Sequence, residues 1–330
     1  MNRSARPRRV PGFVRAGIVL LAIAPAASWA ASAPAAVIPK PGVVTGGISG
    51  LTPTSATLHG ALNAKAEATN YVFQYGTTKA YGAQTALAPG GRSPATIQVS
   101  QGIAGLQPNT LYHYRLVAFG TGGTTIGGDR SFKTPKEPLS LQISASPSPV
   151  PFGDTFTLGG TLFGTGHAGR VVALQANPFP YLQGFKTLGN PEVTNSVGGF
   201  SFPVVGMPVN TQLRVITTAA PFISSPVLVQ GVAVRVSFHV HRVHRNRPGR
   251  FYRMYGTVAP AEVGALVGFQ LLRPGQPSRN VGGTFVKSAT PTVSSFSAVV
   301  RVRHRGVYQA LVRVSDGAHV SGYSERFRIR

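Results

Sequence analysis

Apolar and polar residues alternate with a period of two in short runs along most of this chain. Ala56, Leu58 and Leu62 alternate with Thr57 and His59, and Tyr71, Phe73 and Tyr75 share one phase. Tyr112, Tyr114, Leu116 and Ala118 share another phase, just after the turn residues at Pro108. Alternation of this kind buries one face of a strand. No window shows a sustained apolar period of 3.6, and 40 Gly and 27 Pro break up the 330 residues. The pattern predicts an all-β protein of several small domains, with enough apolar residues, at 42%, to fill their cores.

Turns and alternating runs divide the chain. The first module is expected over residues 41–135, after a flexible Ala- and Pro-rich lead-in at 31–40. Residues 136–138 form a short linker that its prolines keep extended. The remainder reads as a duplication with a period of about 96, giving modules at 139–235 and 236–330. Gly160-Thr161 matches Gly256-Thr257, Leu174-Gln175 matches Phe269-Gln270, and Phe200 matches Phe296. Gln212-Leu213-Arg214-Val215 is matched to Gln309-Ala310-Leu311-Val312. Val227 to Val240 is almost continuous β-former, so the last two modules should form a stiff pair.

Leu106-Gln107-Pro108-Asn109-Thr110-Leu111-Tyr112-His113-Tyr114-Arg115-Leu116 resembles the turn and sixth strand of a fibronectin type III domain. Phe73-Gln74-Tyr75-Gly76-Thr77-Thr78 and Ser131-Phe132-Lys133-Thr134 also resemble bacterial versions of that family. The resemblance implies a β-sandwich with Tyr112 as its corner tyrosine, the hydroxyl bonded to backbone just upstream. Leu58 stands where the family often has Trp. The two repeats resemble immunoglobulin-like modules of bacterial exported proteins. The expected fold is therefore three tandem β-sandwiches, one fibronectin type III-like and two immunoglobulin-like.

The N-terminus carries an address. Arg3, Arg6, Arg8, Arg9 and Arg15 precede an apolar run from Ala16 to Ala27, and Ser28-Trp29-Ala30 supplies small residues for cleavage. This layout predicts a signal peptide at 1–30, exported by the general or the twin-arginine route, and a secreted or surface-associated product. Once it is cleaved, no stable membrane span is expected. The C-terminal residues show neither a hydrophobic tail nor a sorting motif, so no covalent wall attachment is expected. With no Cys, disulfides, thiolate metal sites and Cys nucleophiles are excluded. That absence, and an Arg excess over Lys, point to a bacterial export product.

The formal charge of +24 is unevenly spread. Module three holds fifteen basic and three acidic residues. Arg242, Arg245, Arg247, Arg250 and Arg253 lie in one segment. Arg301, Arg303 and Arg305 are expected on one face of a strand, as are Arg326, Arg328 and Arg330. Guanidinium forks suit phosphate and carboxylate oxygens, so the clusters read either as a surface for an anionic cell-envelope polymer or polysaccharide or as a solvated, Arg-rich face. Sequence-specific nucleic-acid reading is not expected, because no reading element is visible.

Catalytic and metal chemistry find little support. The eight carboxylates are scattered, no Gly-x-Ser-x-Gly elbow occurs, and His244 is out of phase with His239 and His241. No catalytic, cofactor or metal residues are assigned, and a non-enzymatic spacer or adhesive is the expected role. The alternative is a binding module for carbohydrate or wall polymer, accessory to polysaccharide degradation. The loop at 177–185 offers Phe179, Tyr181 and Phe185 as rings that could stack on a ligand or cap a core.

Overall fold

The structure is a computed structural model that describes residues 37–330; the signal-peptide reading lies outside the described residues. The described residues form strands and turns with no helix. Three separate apolar clusters are filled from antiparallel sheets, and one short parallel ladder joins Val150–Pro151 to Val232–Ala233.

In module one, the strands Gly42–Ser49, Ser55–Asn63 and Thr96–Ala104 form one sheet. The facing sheet centres on Thr69–Gly76 and Leu111–Gly120. Alternation along Ser55–Asn63 places Ala56, Leu58 and Leu62 inside, against Phe73 and Leu116. Leu58 is fully buried. Tyr112 is buried, and its hydroxyl accepts a 2.9 Å bond from the Gln107 amide five residues upstream. Residues 37–40 of the lead-in are exposed, with the carbonyls of Ile38 and Pro39 lying against Gly122. The first six residues of the lead-in, 31–36, lie outside the described residues.

Modules two and three repeat one plan. Thr155–Phe163 and Gly199–Val205 pair in module two as Arg250–Ala259 and Ser294–Val302 pair in module three. Val171–Pro178 pairs Thr211–Thr217 as Leu266–Arg273 pairs Gly306–Arg313. One match from the sequence is displaced. Gln175 lies opposite Arg214, and Gln270 lies opposite Gln309, so Arg214 corresponds to Gln309 and Val215 to Ala310. Buried serines agree: the Val215 amide donates to Ser225 Oγ and the Ala310 amide to Ser324 Oγ. The offset here is 95, two less than the sequence match used. A slip of two keeps every side chain on its own face, so alternation alone could not detect it.

The linker is pinned. The Glu137 amide donates to Thr165 Oγ1 at 2.9 Å, and the Thr165 amide donates to the Glu137 carbonyl at 3.0 Å. At the other boundary Val232 belongs to the second core and Val234 to the third. Between them, Val320 of module three donates to the Val232 carbonyl and accepts from the Val234 amide.

Candidate functional site: the arginine tip of module three

Strand register places the arginines. Arg250 opens its strand and lies opposite Val302, the last residue of the neighbouring strand. The hairpin 244–249, carrying Arg245 and Arg247, and the turn 303–305, carrying Arg303 and Arg305, therefore share one end of the module. Arg301 does not continue onto a strand face with Arg303 and Arg305, as expected from sequence. The strand stops at Val302, and the other two project from the turn. Glycine and buried tyrosine explain the stop. Gly306 has a φ of 155°, and the Tyr308 hydroxyl donates to the His304 carbonyl at 2.6 Å, pinning the turn. Burial, then the neighbouring Tyr252, pushes the Tyr308 hydroxyl above its usual pKa, so it stays a donor.

The C-terminal strand Phe327–Ile329 pairs with Gly306–Tyr308, which brings Arg326, Arg328 and Arg330 to the same end. Arg273 and Arg279 join them from the adjacent hairpin. Arg279, Arg301, Arg303 and His304 line a concavity of about 380 Å³. Gly249 lets Arg301 lie across the hairpin backbone: a Cβ there would sit 2.7 Å from the Arg301 Nε. Arg242 and Arg253 lie further in, opposite Tyr252 and His241. The named arginines are exposed, and among the described residues none of them is within ion-pair distance of a carboxylate.

The outer face of the same sheet carries a shallow trough of about 900 Å³ lined by His239, His241, Arg253, Tyr255 and serines. His239 and His241 share this face, as their spacing predicts, and His244 lies beyond the strand end at Val243. The His239 and Tyr255 rings lie 5.4 Å apart.

The aromatic loop at 177–185 serves its own chain. Phe185 lies under the Arg214 guanidinium at 4.1 Å. Phe179 meets Tyr181 edge-on at 5.6 Å and lies against Gly317 of module three. All three rings are half-buried.

Two polar clusters escaped the sequence reading. Asp129 accepts from the Tyr81 hydroxyl at 2.9 Å and lies 3.0 Å from His113 Nδ1, with Lys79 at 3.8 Å. At the module two–three boundary, Glu262, Asp316 and His319 converge within 4.8 Å. The sequence assigned no metal-ligating set because 54 residues separate Glu262 from Asp316; proximity of that kind has no local signal.

Neither a family profile nor a curated protein matches this chain. Among solved structures it is similar to three fibronectin-type domains, FN1–FN3, of chicken CNTN1, at 14% identity, over 87% of this chain and 95% of that one. It is also similar to a tetra-tandem repeat from the extending region of a large adhesion protein, at 13% identity, over 88% of this chain and 74% of that one. Both superpose with a TM-score of 0.27, too low to carry an argument, so the fold rests on the sheets themselves. Among the described residues no helix is long and apolar enough to cross a membrane.

Proposed function

We propose that this chain is a non-enzymatic, exported, modular β-sandwich protein of a bacterial surface, a spacer whose third module ends in an adhesive tip for anionic envelope polymers. The observation that carries this reading is the lengthwise separation of charge in module three. Arginines from four chain segments gather at the end of the module away from module two. Glu262 and Asp316, two of its three carboxylates, lie beyond Ala259 and Arg313, the far ends of the ladders. The ten-residue strand Arg250–Ala259 sets these ends about 30 Å apart, well beyond the screening length in physiological salt. Arginines with no carboxylate partner keep their forks free for phosphate or sulfate oxygens.

The test titrates salt. The full chain should bind poly(glycerol phosphate), and double-stranded DNA of arbitrary sequence, with affinity that falls steeply as NaCl rises. Replacing Arg245, Arg247, Arg303 and Arg305 together by Ser should flatten the DNA salt slope by about 0.9 for each phosphate no longer neutralised. Equal affinity and slope for the two proteins would leave the tip a solvated surface and the chain a spacer only.

A further inference from the structure

His319 sits in the loop Asp316–Val320 that joins module three to module two. Its side chain is 10% exposed, and that of Glu262 is 12% exposed. The Nε2 atom lies 3.0 Å from the Pro208 carbonyl oxygen of module two, so Nε2 carries a proton and donates it. That bond fixes the tautomer and turns Nδ1 toward the carboxylates. Nδ1 lies 2.8 Å from Asp316 Oδ2 and also 2.8 Å from Glu262 Oε1. Only Asp316 lies in the hydrogen-bonding direction of that nitrogen. Nδ1 therefore faces two carboxylate oxygens, one in line with it and the other close and off-axis. Asp316 Oδ1 is already taken by the amides of Ala318 and His319, which aims Oδ2 inward. The Phe152 ring of module two packs edge-on against the imidazole at 6.3 Å between centroids.

We propose that Glu262, Asp316 and His319 form a binding site for a divalent ion of the zinc class. One nitrogen and two carboxylate oxygens converging on one point are a ligand set suited to zinc, with bonds of about 2.0–2.2 Å. The Pro208 carbonyl plays the part that outer partners of metal-bound histidines usually play. Asp316, with a third of its side chain exposed, leaves one side open for a water as fourth ligand. The arginine tip lies at the other end of the module, so its repulsion is screened. Bound metal would hold the loop Asp316–Val320 in the shape that docks on module two, through the bonds of Asn210 to the Ala318 and Gly317 carbonyls.

The experiment is calorimetric titration of zinc sulfate into the full chain, purified without a histidine tag and dialysed against a chelator. One equivalent should bind with micromolar or tighter affinity. Glu262→Gln, which keeps the side chain's shape, and His319→Ala should each weaken binding about tenfold or more. The double variant His239→Ala, His241→Ala, which removes the exposed histidine pair of the same module, should leave it unchanged. No saturable zinc binding would overturn the proposal. So would binding that survives Glu262→Gln and disappears in the exposed-histidine variant. The outcome is independent of the salt titration, which reads the opposite end of the module.

Discussion

Asp129 shows how one carboxylate organises the outer face of module one. Burial alone would raise its pKa. Hydrogen bonds from His113 and Tyr81, with the charges of His113 and Lys79, together outweigh burial and hold it below the usual carboxylate range. A depressed folded-state pKa stabilises the fold above the ordinary range, and that stability is lost as pH falls through the folded value. The melting temperature of the full chain should therefore fall for module one as pH drops below about 4. Asp129→Asn should remove that part of the pH dependence while lowering the neutral-pH melting temperature. An acid branch identical in both proteins would show that Asp129 is not coupled to folding. In module two, an arginine is held between an amide and a ring. Arg214 Nε donates to Gln175 Oε1 at 2.8 Å while Phe185 covers its guanidinium. In module one Arg115 does the same with Gln74 and Tyr81.

At the scale of strands, the repeated Gly-to-Phe pair decides how the sheets close. Gly160 lies opposite Phe200, and Gly256 opposite Phe296. Each ring folds over its glycine: a Cβ would sit 2.5 Å from Phe200 Cζ or 2.7 Å from Phe296 Cζ. The Ser237 carbonyl closes the other side of Gly256. Overpacking of this kind costs about 1–3 kcal/mol, and backbone on one side leaves little room to relax. Gly256→Ala should lower the unfolding free energy measured in urea by an amount in that range, with a lower midpoint. Gly159→Ala, where the nearest atom to a new Cβ is 3.9 Å away, should leave it nearly unchanged. Equal midpoints for the two variants would refute the ring-over-glycine packing. The repeat is visible in the sequence at this pair because both members recur at an offset of 96. The Gln212–Val215 match is misplaced because alternating strands look the same after a shift of two.

For the whole molecule, the boundary between modules two and three is a built joint. Gly231 to Val234 bonds to Val150–Phe152 on one side and to Val320 on the other. Asn210 ties three pieces together. Its amide donates to the Ala318 carbonyl at 2.7 Å, its Nδ2 to the Gly317 carbonyl at 2.9 Å, and its Oδ1 accepts from the Val232 amide at 2.8 Å. Modules two and three should consequently melt in one calorimetric transition. Asn210→Ala orphans the amide of buried Val232, at about 1–3 kcal/mol for a buried unpaired group, and leaves the exposed Gly317 carbonyl to water. Two resolved transitions are expected for the variant. Separate melting in the unaltered chain would show that the modules do not unfold as a unit.

Pattern along the chain is enough to settle the class of fold and its inner faces. Period-two alternation states which residues face inward, wherever the strand partners happen to be. Leu58, Phe73, Tyr112 and Leu116 were legible for that reason, and so was the duplication, through glycines and aromatics that recur at a fixed offset. The excess of arginine in module three was also visible, as was the shared face of His239 and His241. Tertiary structure decided everything that depends on which strand ends meet. It ended a strand at Val302 and turned Arg303 and Arg305 into loop residues. It brought arginines from four segments to one tip. It gave Phe179 and Phe185 partners within the chain, and closed Glu262, Asp316 and His319 into one cluster. Local pattern fixes the direction of a side chain relative to its own strand. Long-range pairing alone fixes its neighbours, and the chemistry of a site belongs to neighbours.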